Sequence, residues 1–240
     1  MSICQLCLKD LELRNSHIVP EFLHKKLYNN KGHLAAINGL GNKGYKPLQQ
    51  GLREYLFCEC CEQHFNIFCE KPFQTQWINA NPNPLPDPWS VSEPYWIKVD
   101  YNSFKLFHLS VLFRASVSSL PNFSEVSLGP HQDKLRQMIQ NRDPGKFWQY
   151  PIFGVAIIHH RTKKIIHSVT MAYRTKYHEH TCYSIVYGGV HWSTSVSSHR
   201  NHEFERCALQ EDGCIPFHAV PWNELEIFQT AATMLRNANS

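Results

Sequence analysis

The stretch Cys4-Gln5-Leu6-Cys7 and its counterpart Cys58-Glu59-Cys60-Cys61 decide how this chain is read. A C-x-x-C turn presents two thiolates from one tight knuckle, and two such turns supply the four soft ligands of a tetrahedral zinc ion. Cys4, Cys7, Cys58 and Cys61 are therefore assigned to a structural zinc site, although Cys60 can stand in for a member of the second pair. About fifty residues separate the pairs, a small penalty because each doubling of a closed loop costs only about 0.6 kcal/mol.

The nine cysteines are an odd number, which fits metal ligation in a reducing compartment better than a disulfide framework. Cys60, Cys69, Cys182, Cys207 and Cys214 are read mostly as buried thiols that behave as small hydrophobes. The opening MSICQLCLKD shows no secretory signal pattern, and no run approaches the ~18–20 apolar residues of a membrane span. A cytoplasmic protein without membrane contact is expected. The formal charge of +4 and pI near 8.5 tolerate a phosphate-rich partner without demanding one.

The expected organisation is α+β, with a zinc-stabilised module over 1–78, a proline-rich linker over 79–94 and an α+β recognition or partner-binding domain over 95–240. NANPNPLPDPWSVSEP at 79–94 forbids a long helix or central strand. Residues 29–51 read as a long Gly-, Asn- and Lys-rich loop whose Lys31, Lys43 and Lys46 face solvent or a phosphate backbone. Ahead of it, EFLHKKLYN at 21–29 has the apolar spacing of a short amphipathic helix. CEQHFNIFCEKPF from Cys61 continues as a helix that Pro72 ends or bends, with His64 at its surface.

Farther along, FKLFHLSVLFRASVS at 104–118 is apolar on most sides and predicts a buried helix. HQDKLRQMIQN predicts a second helix from 131 to the Asp143-Pro144-Gly145 stop. YPIFGVAIIHH, KKIIHSVTMAYRTKY and TCYSIVYGGVHWSTSV are three β-rich runs, most simply an antiparallel meander. Asn223 is placed to cap a final helix over 224–237. His178, His180 and Cys182 alternate on one strand face, a pattern also expected of an ordinary polar turn. Trp148, Trp192 and Trp222 read as core residues before base-stacking ones.

The order C-x-x-C, then SHIVPEF at 16–22, then a C-x-x-C that opens a helix resembles the His-Asn-His (HNH) endonucleases of the treble-clef, ββα-metal class, over roughly residues 3–72. Together with LREYLFCECCE at 52–62 and KLFHLSVLFRASVS at 105–118, it also resembles a group of uncharacterised bacterial proteins with an HNH-like module, candidates for antiphage or mobile-element defence.

The resemblance implies a metal-dependent nuclease that hydrolyses phosphodiester bonds of nucleic acid, DNA before RNA, with His17 as general base. It also implies a catalytic magnesium or manganese ion on oxygen ligands. The chain departs from the family at three positions. Ser16 stands where an acidic residue usually precedes the base, Arg53 and Glu54 occupy the neighbourhood of the middle asparagine, and Glu62 replaces the final histidine. Glu62 and Glu54 become the candidate ion ligands, while Lys25, Lys26 and Arg53 become candidate phosphate contacts. Two further functional readings are kept: a zinc module that binds nucleic acid without cutting it, and an interaction subunit acting with a partner ATPase or sensor protein.

Overall fold

Two short strands, Ser2–Ile3 and Asp10–Leu11, pair antiparallel and pinch the first cysteine pair into a knuckle. The Leu8 N–H donates to the Cys4 carbonyl at 2.9 Å and the Cys4 N–H to the Lys9 carbonyl at 3.0 Å. Leu8 takes a left-handed backbone (φ 59°) to close the turn. These features belong to a computed structural model that describes residues 2–27, 34–36, 46–48, 51–177 and 179–229. Lys31, Lys43, His178 and most of the helix expected over 224–237 lie outside the described residues.

The chain next forms an antiparallel pair, Leu13–His17 against Arg53–Cys58, irregular between Arg14 and Asn15. Arg53–Cys58 runs directly into the helix Glu59–Phe65. Pro72 does not stop the helical path. It sits in the short α-turn Lys71–Phe73 between two widened turns, Asn66–Glu70 and Gln74–Ile78, and the preceding one holds the carbonyls that its missing N–H leaves unbonded. Within the segment read as a loop, Leu34–Ala36 and Lys46–Leu48 pair antiparallel. The amphipathic helix is short, Glu21–His24, followed by a 3-10 turn over Lys25–Leu27.

Residues 79–94 carry neither helix nor strand, as their prolines predict. They are strapped to the rest of the protein: the Trp89 N–H donates to the Lys163 carbonyl at 2.8 Å, the Asp87 carboxylate accepts from the Ile165 N–H at 3.1 Å, and Leu85 and Trp89 are buried. Beyond the strap lies the central helix Tyr101–Val117, capped by Asp100, whose side chain accepts from the Ser103 N–H at 2.9 Å. Every residue from Phe104 to Ala115 is buried, including Lys105, His108 and Arg114. Its apolar character on all sides follows from that position, wrapped by the Cys-bearing helix, by the helix His131–Asn141 and by the main sheet.

That sheet differs from the expected meander. Its order is Ala219–Pro221, Ile152–Ile158, Val190–Ser195, His180–Tyr187, Tyr173–Tyr177, antiparallel throughout except that Ala219–Pro221 runs parallel to Ile152–Ile158. The third β-rich run contains two strands, not one. Gly188 and Gly189, at φ 60° and 83°, form the two-residue turn that pairs Tyr187 with Val190, and only glycine-like residues accept two positive φ angles in succession. The returning strand then inserts beside Ile152–Ile158, so the first run meets the second at its far end, where Ile158 bridges Ile165 and the Ile166 N–H donates to the Ile157 carbonyl at 2.8 Å. A separate pair, Tyr95–Lys98 with Cys214–Phe217, completes an α+β fold with antiparallel sheets.

One core joins the regions on both sides of the proline strap. Phe73 stacks on Phe107 of the central helix with centroids 3.8 Å apart, Phe57 lies 6.2 Å from Phe113, and Trp77 contacts Trp192 of the sheet at 5.4 Å. Each such ring contributes about 1.5–3 kcal/mol through burial. Among the described residues, no helix is long and apolar enough to cross a membrane.

Candidate functional site

The four expected cysteines converge. The sulfur atoms of Cys4, Cys7, Cys58 and Cys61 all lie within 4.8 Å of one another, and those of Cys7 and Cys58 are 3.9 Å apart. A tetrahedral zinc with bonds of about 2.3 Å requires sulfur–sulfur separations of about 3.8 Å, so the donor set and its size fit Zn²⁺. Cys58 caps the helix and Cys61 lies one turn in, both buried, whereas Cys60 points into solvent. Helix phase therefore settles which cysteines of CECC belong to the cluster.

One member of the cluster, Cys4, favours the thiolate. Hydrogen bonding from Cys61, backed by backbone N–H groups including that of Cys58 at 3.4 Å, pulls Cys4 down to about 4. Cys61 is pushed up by the same sharing with Cys4 and by burial, and Cys7 is pushed up chiefly by burial. Four thiols share little negative charge without a cation, and a bound dication would release the remaining protons. Of the other cysteines, Cys69 and Cys182 are buried, Cys214 is half-buried, and Cys60 and Cys207 are exposed.

His17 ends the strand that the knuckle leads into, opposite Arg53 across the ladder. The Arg53 Nε–H donates to His17 Nε2 at 2.8 Å, so that nitrogen is an acceptor and the imidazole is neutral. Glu21 Oε2 lies 3.7 Å from His17 Nε2 and 3.6 Å from Arg53 Nη2. Burial, then the Arg53 charge, hold His17 below the usual histidine range. Beside it is a residue that sequence reading missed. His24 is buried with no hydrogen-bond partner for either ring nitrogen among the described residues, and burial, followed by the His17 charge, lowers it to about 4. Gly51 lies against both imidazoles: a Cβ there would sit 3.4 Å from His17 and 3.6 Å from His24, in van der Waals contact with each.

Glu62 occupies a different place, in the first helical turn on the Ser16 side of the strand. Burial pushes its carboxyl up, opposed by the Arg114 charge and by the Ser16 hydroxyl. Its Oε1 is buried without a hydrogen-bond partner among the described residues. Ser16 is itself buried and donates to the Arg14 carbonyl at 3.2 Å. Behind Glu62 stands Arg114 of the central helix, which was read only as part of an apolar run. Its Nη2 donates to Glu70 at 2.6 Å, its Nη1 to the His17 carbonyl at 3.3 Å, and its guanidinium lies 4.2 Å from the centroid of the Phe65 ring. This buried cation fixes the backbone at His17, pairs with Glu70 and opposes the upward push on the Glu62 carboxyl.

Glu54 does not face that group. It accepts from the Ser118 hydroxyl at 2.7 Å and the Ser119 N–H at 3.0 Å, gripping the chain as it leaves the central helix. Burial raises its pKa, but the bonds from Ser119 and Ser118 outweigh that and hold the carboxyl below its ordinary value. Arg53 is engaged with His17 and Glu21. Lys25 is exposed, and Lys26 lies in the same turn. His64, expected at the surface, is half-buried, with its Nε2 2.8 Å from the Ile139 carbonyl at the end of a neighbouring helix. His180 packs on Phe204. Trp192 is a core residue, while Trp148 and Trp222 are only half-buried.

No protein-family model matches the chain, and no curated protein or solved structure is significantly similar to it. The established part of the site is thus its geometry: a four-cysteine centre suited to a structural metal, from which a strand delivers His17 and a helix delivers Glu62.

Proposed function

We propose that residues 2–78 form a treble-clef zinc module of the HNH kind and that the protein is a metal-dependent nuclease acting on phosphodiester bonds of nucleic acid. The observation that carries this reading is the buried Oε1 of Glu62, without a hydrogen-bond partner among the described residues, set in the turn that holds Cys58 and Cys61 and against the residue preceding His17. A knuckle, a two-stranded pair and a helix bearing the second cysteine pair are the parts of a treble clef in their usual chain order.

Magnesium commonly binds through one or two carboxylates, with water and substrate phosphate completing its shell, and Glu62 Oε1 fits as such a carboxylate. When bound there, the ion would polarise the scissile phosphate and stabilise the leaving oxygen. His17, neutral at pH 7, would take a proton from the attacking water at Nε2. That lone pair is occupied by the Arg53 Nε–H. Arg53 would therefore turn to the phosphate on substrate binding, exchanging a neutral acceptor for an anionic one and freeing the base. Glu21 would steady the guanidinium in the resting arrangement.

A second reading is supported by the same bond: with Arg53 staying on His17 and Glu54 committed to Ser118 and Ser119, the module would bind nucleic acid without hydrolysis. A cleavage assay on plasmid and single-stranded substrates with magnesium and with manganese separates the two. Hydrolysis is expected for wild type, with a loss of at least about 10²-fold in His17→Ala and a comparable loss in Glu62→Ala. Equal trace nicking by wild type and His17→Ala, together with salt-dependent binding, would establish the non-hydrolytic module instead.

A further inference from the structure

A cleft of about 330 Å³ opens between the helix His131–Asn141, the loop 143–150 and the turn 197–200 that follows the strand Val190–Ser195. That size is within the ~300–1,000 Å³ of small-ligand sites. None of its lining residues belongs to the elements that carry the cysteines, His17 or Glu62.

Its chemistry is one-sided. Lys134, His199 and Arg200 line it, against a single acid, Asp143. Asp143 already accepts from the Gly145 N–H at 2.9 Å, while Lys134 has no ion-pair partner among the described residues. Arg200 is held by Glu205 through Nε and Nη2, both at 2.8 Å, with its guanidinium carbon 5.0 Å from the Trp148 ring centroid. This clamp orients the arginine and leaves Nη1 for another acceptor. The floor is Tyr150, buried and in a left-handed backbone (φ 51°), its hydroxyl 2.9 Å from His131 Nδ1. A bulky residue in that conformation is uncommon. Along one wall, Gln137 and Asn141 stand a helical turn apart, exposing amides that both donate and accept.

Cations, an aromatic face and exposed amides within one cleft match the three parts of a nucleotide: phosphate, base plane and base edge. We infer that this cleft binds a nucleoside phosphate, with the phosphate at Lys134, His199 and Arg200 and the base over Trp148 beside Gln137 and Asn141. The same chemistry is offered by a free nucleotide and by a nucleotide within a single strand.

Isothermal titration of the full chain with AMP, adenosine, inorganic phosphate and a five-nucleotide adenylate strand tests this. AMP is expected to bind at least about tenfold more tightly than phosphate or adenosine, because each of those lacks one of the contacting parts. Trp148→Leu is expected to weaken AMP about tenfold through lost stacking, and Lys134→Ala about fivefold through a lost charge-assisted contact. Tighter binding of the strand than of AMP identifies a single-strand site; the reverse order identifies a free nucleotide as the ligand. No binding of AMP or the strand at millimolar concentration overturns the inference. So does binding that neither substitution alters, or phosphate binding as tight as that of AMP. His17→Ala is expected to leave AMP binding unchanged, so this inference and the hydrolytic reading fail separately.

Discussion

Replacing Arg114 with Met probes how the central helix supports the His17 strand. Methionine keeps an unbranched apolar chain over Phe65 but removes the guanidinium, leaving Glu70 without its 2.6 Å partner and the His17 carbonyl without its 3.3 Å donor. Deleting one member of a buried ion pair typically costs about 3–5 kcal/mol. The Arg114 side chain is 1% exposed, but that of Glu70 is 21% exposed and is partly rehydrated once abandoned. The lower end, about 3 kcal/mol, is therefore expected, a large share of a typical total of about 5–15 kcal/mol. Removing both charges in Arg114→Met/Glu70→Met should recover about 1–2 kcal/mol, because the second substitution deletes the stranded carboxylate. Recovery stays incomplete, since Glu62 also relies on the Arg114 charge. Equilibrium urea unfolding followed by tryptophan fluorescence at pH 7 measures both quantities. A loss under about 1 kcal/mol in the single variant, with no recovery in the double, would show that the pair carries no structural load.

Three buried histidines make a pH prediction. Burial lowers His24 and His191 to about 4 and His108 to about 3. Their folded-state pKa values lie below the unfolded value near 6.5, so the unfolded chain binds more protons as pH falls. Their stabilising contribution is full above about pH 6.5 and is lost as pH falls toward about 4, at up to about 1.4 kcal/mol per pH unit for each histidine. Denaturation midpoints measured from pH 7.5 to 4.5 should decline, and His24→Leu should reduce the slope by that amount; a flat profile contradicts the assignment. Gly188→Ala should cost about 2–4 kcal/mol, because its Cβ would meet Trp77 Nε1 at 2.8 Å in addition to the left-handed backbone penalty. Gly129→Ala, with a positive φ but open space around it, should cost only about 1–2 kcal/mol. Thermal unfolding of the two variants side by side checks the difference, and equal losses would refute the contact.

What could be read from sequence was local. Two C-x-x-C turns announce their ligands because each pair is fixed by three residues of chain, and the central helix is visible because fifteen consecutive residues carry the same apolar bias. The sheet order was not accessible, since pairing Ile152–Ile158 with Val190–Ser195 is a tertiary choice; the Gly188-Gly189 turn inside the third run was the available signal. Arg114 looked like the end of an apolar helix because its partners, Glu70 and His17, lie 44 and 97 residues away. His24 falls beside Leu23 in an amphipathic pattern, and nothing in that pattern predicts its burial or that its ring nitrogens find no hydrogen-bond partner among the described residues. Glu62, at the place of the final histidine, and Glu54, as a second oxygen, were both candidate ligands by position along the chain. Only packing separates them, by giving Glu54 to Ser118 and Ser119 and leaving an oxygen of Glu62 unsatisfied.

The most direct test of the account is the metal content and zinc-edge X-ray absorption of the purified chain. One zinc per chain with four sulfur neighbours at about 2.3 Å is predicted, with loss of the metal and of folded structure in Cys4→Ser or Cys58→Ser and full retention in Cys60→Ser. A folded chain without zinc, or a zinc shell containing nitrogen or oxygen in place of one of the four sulfurs, would contradict the centre from which the His17 strand and the Glu62 helix are positioned.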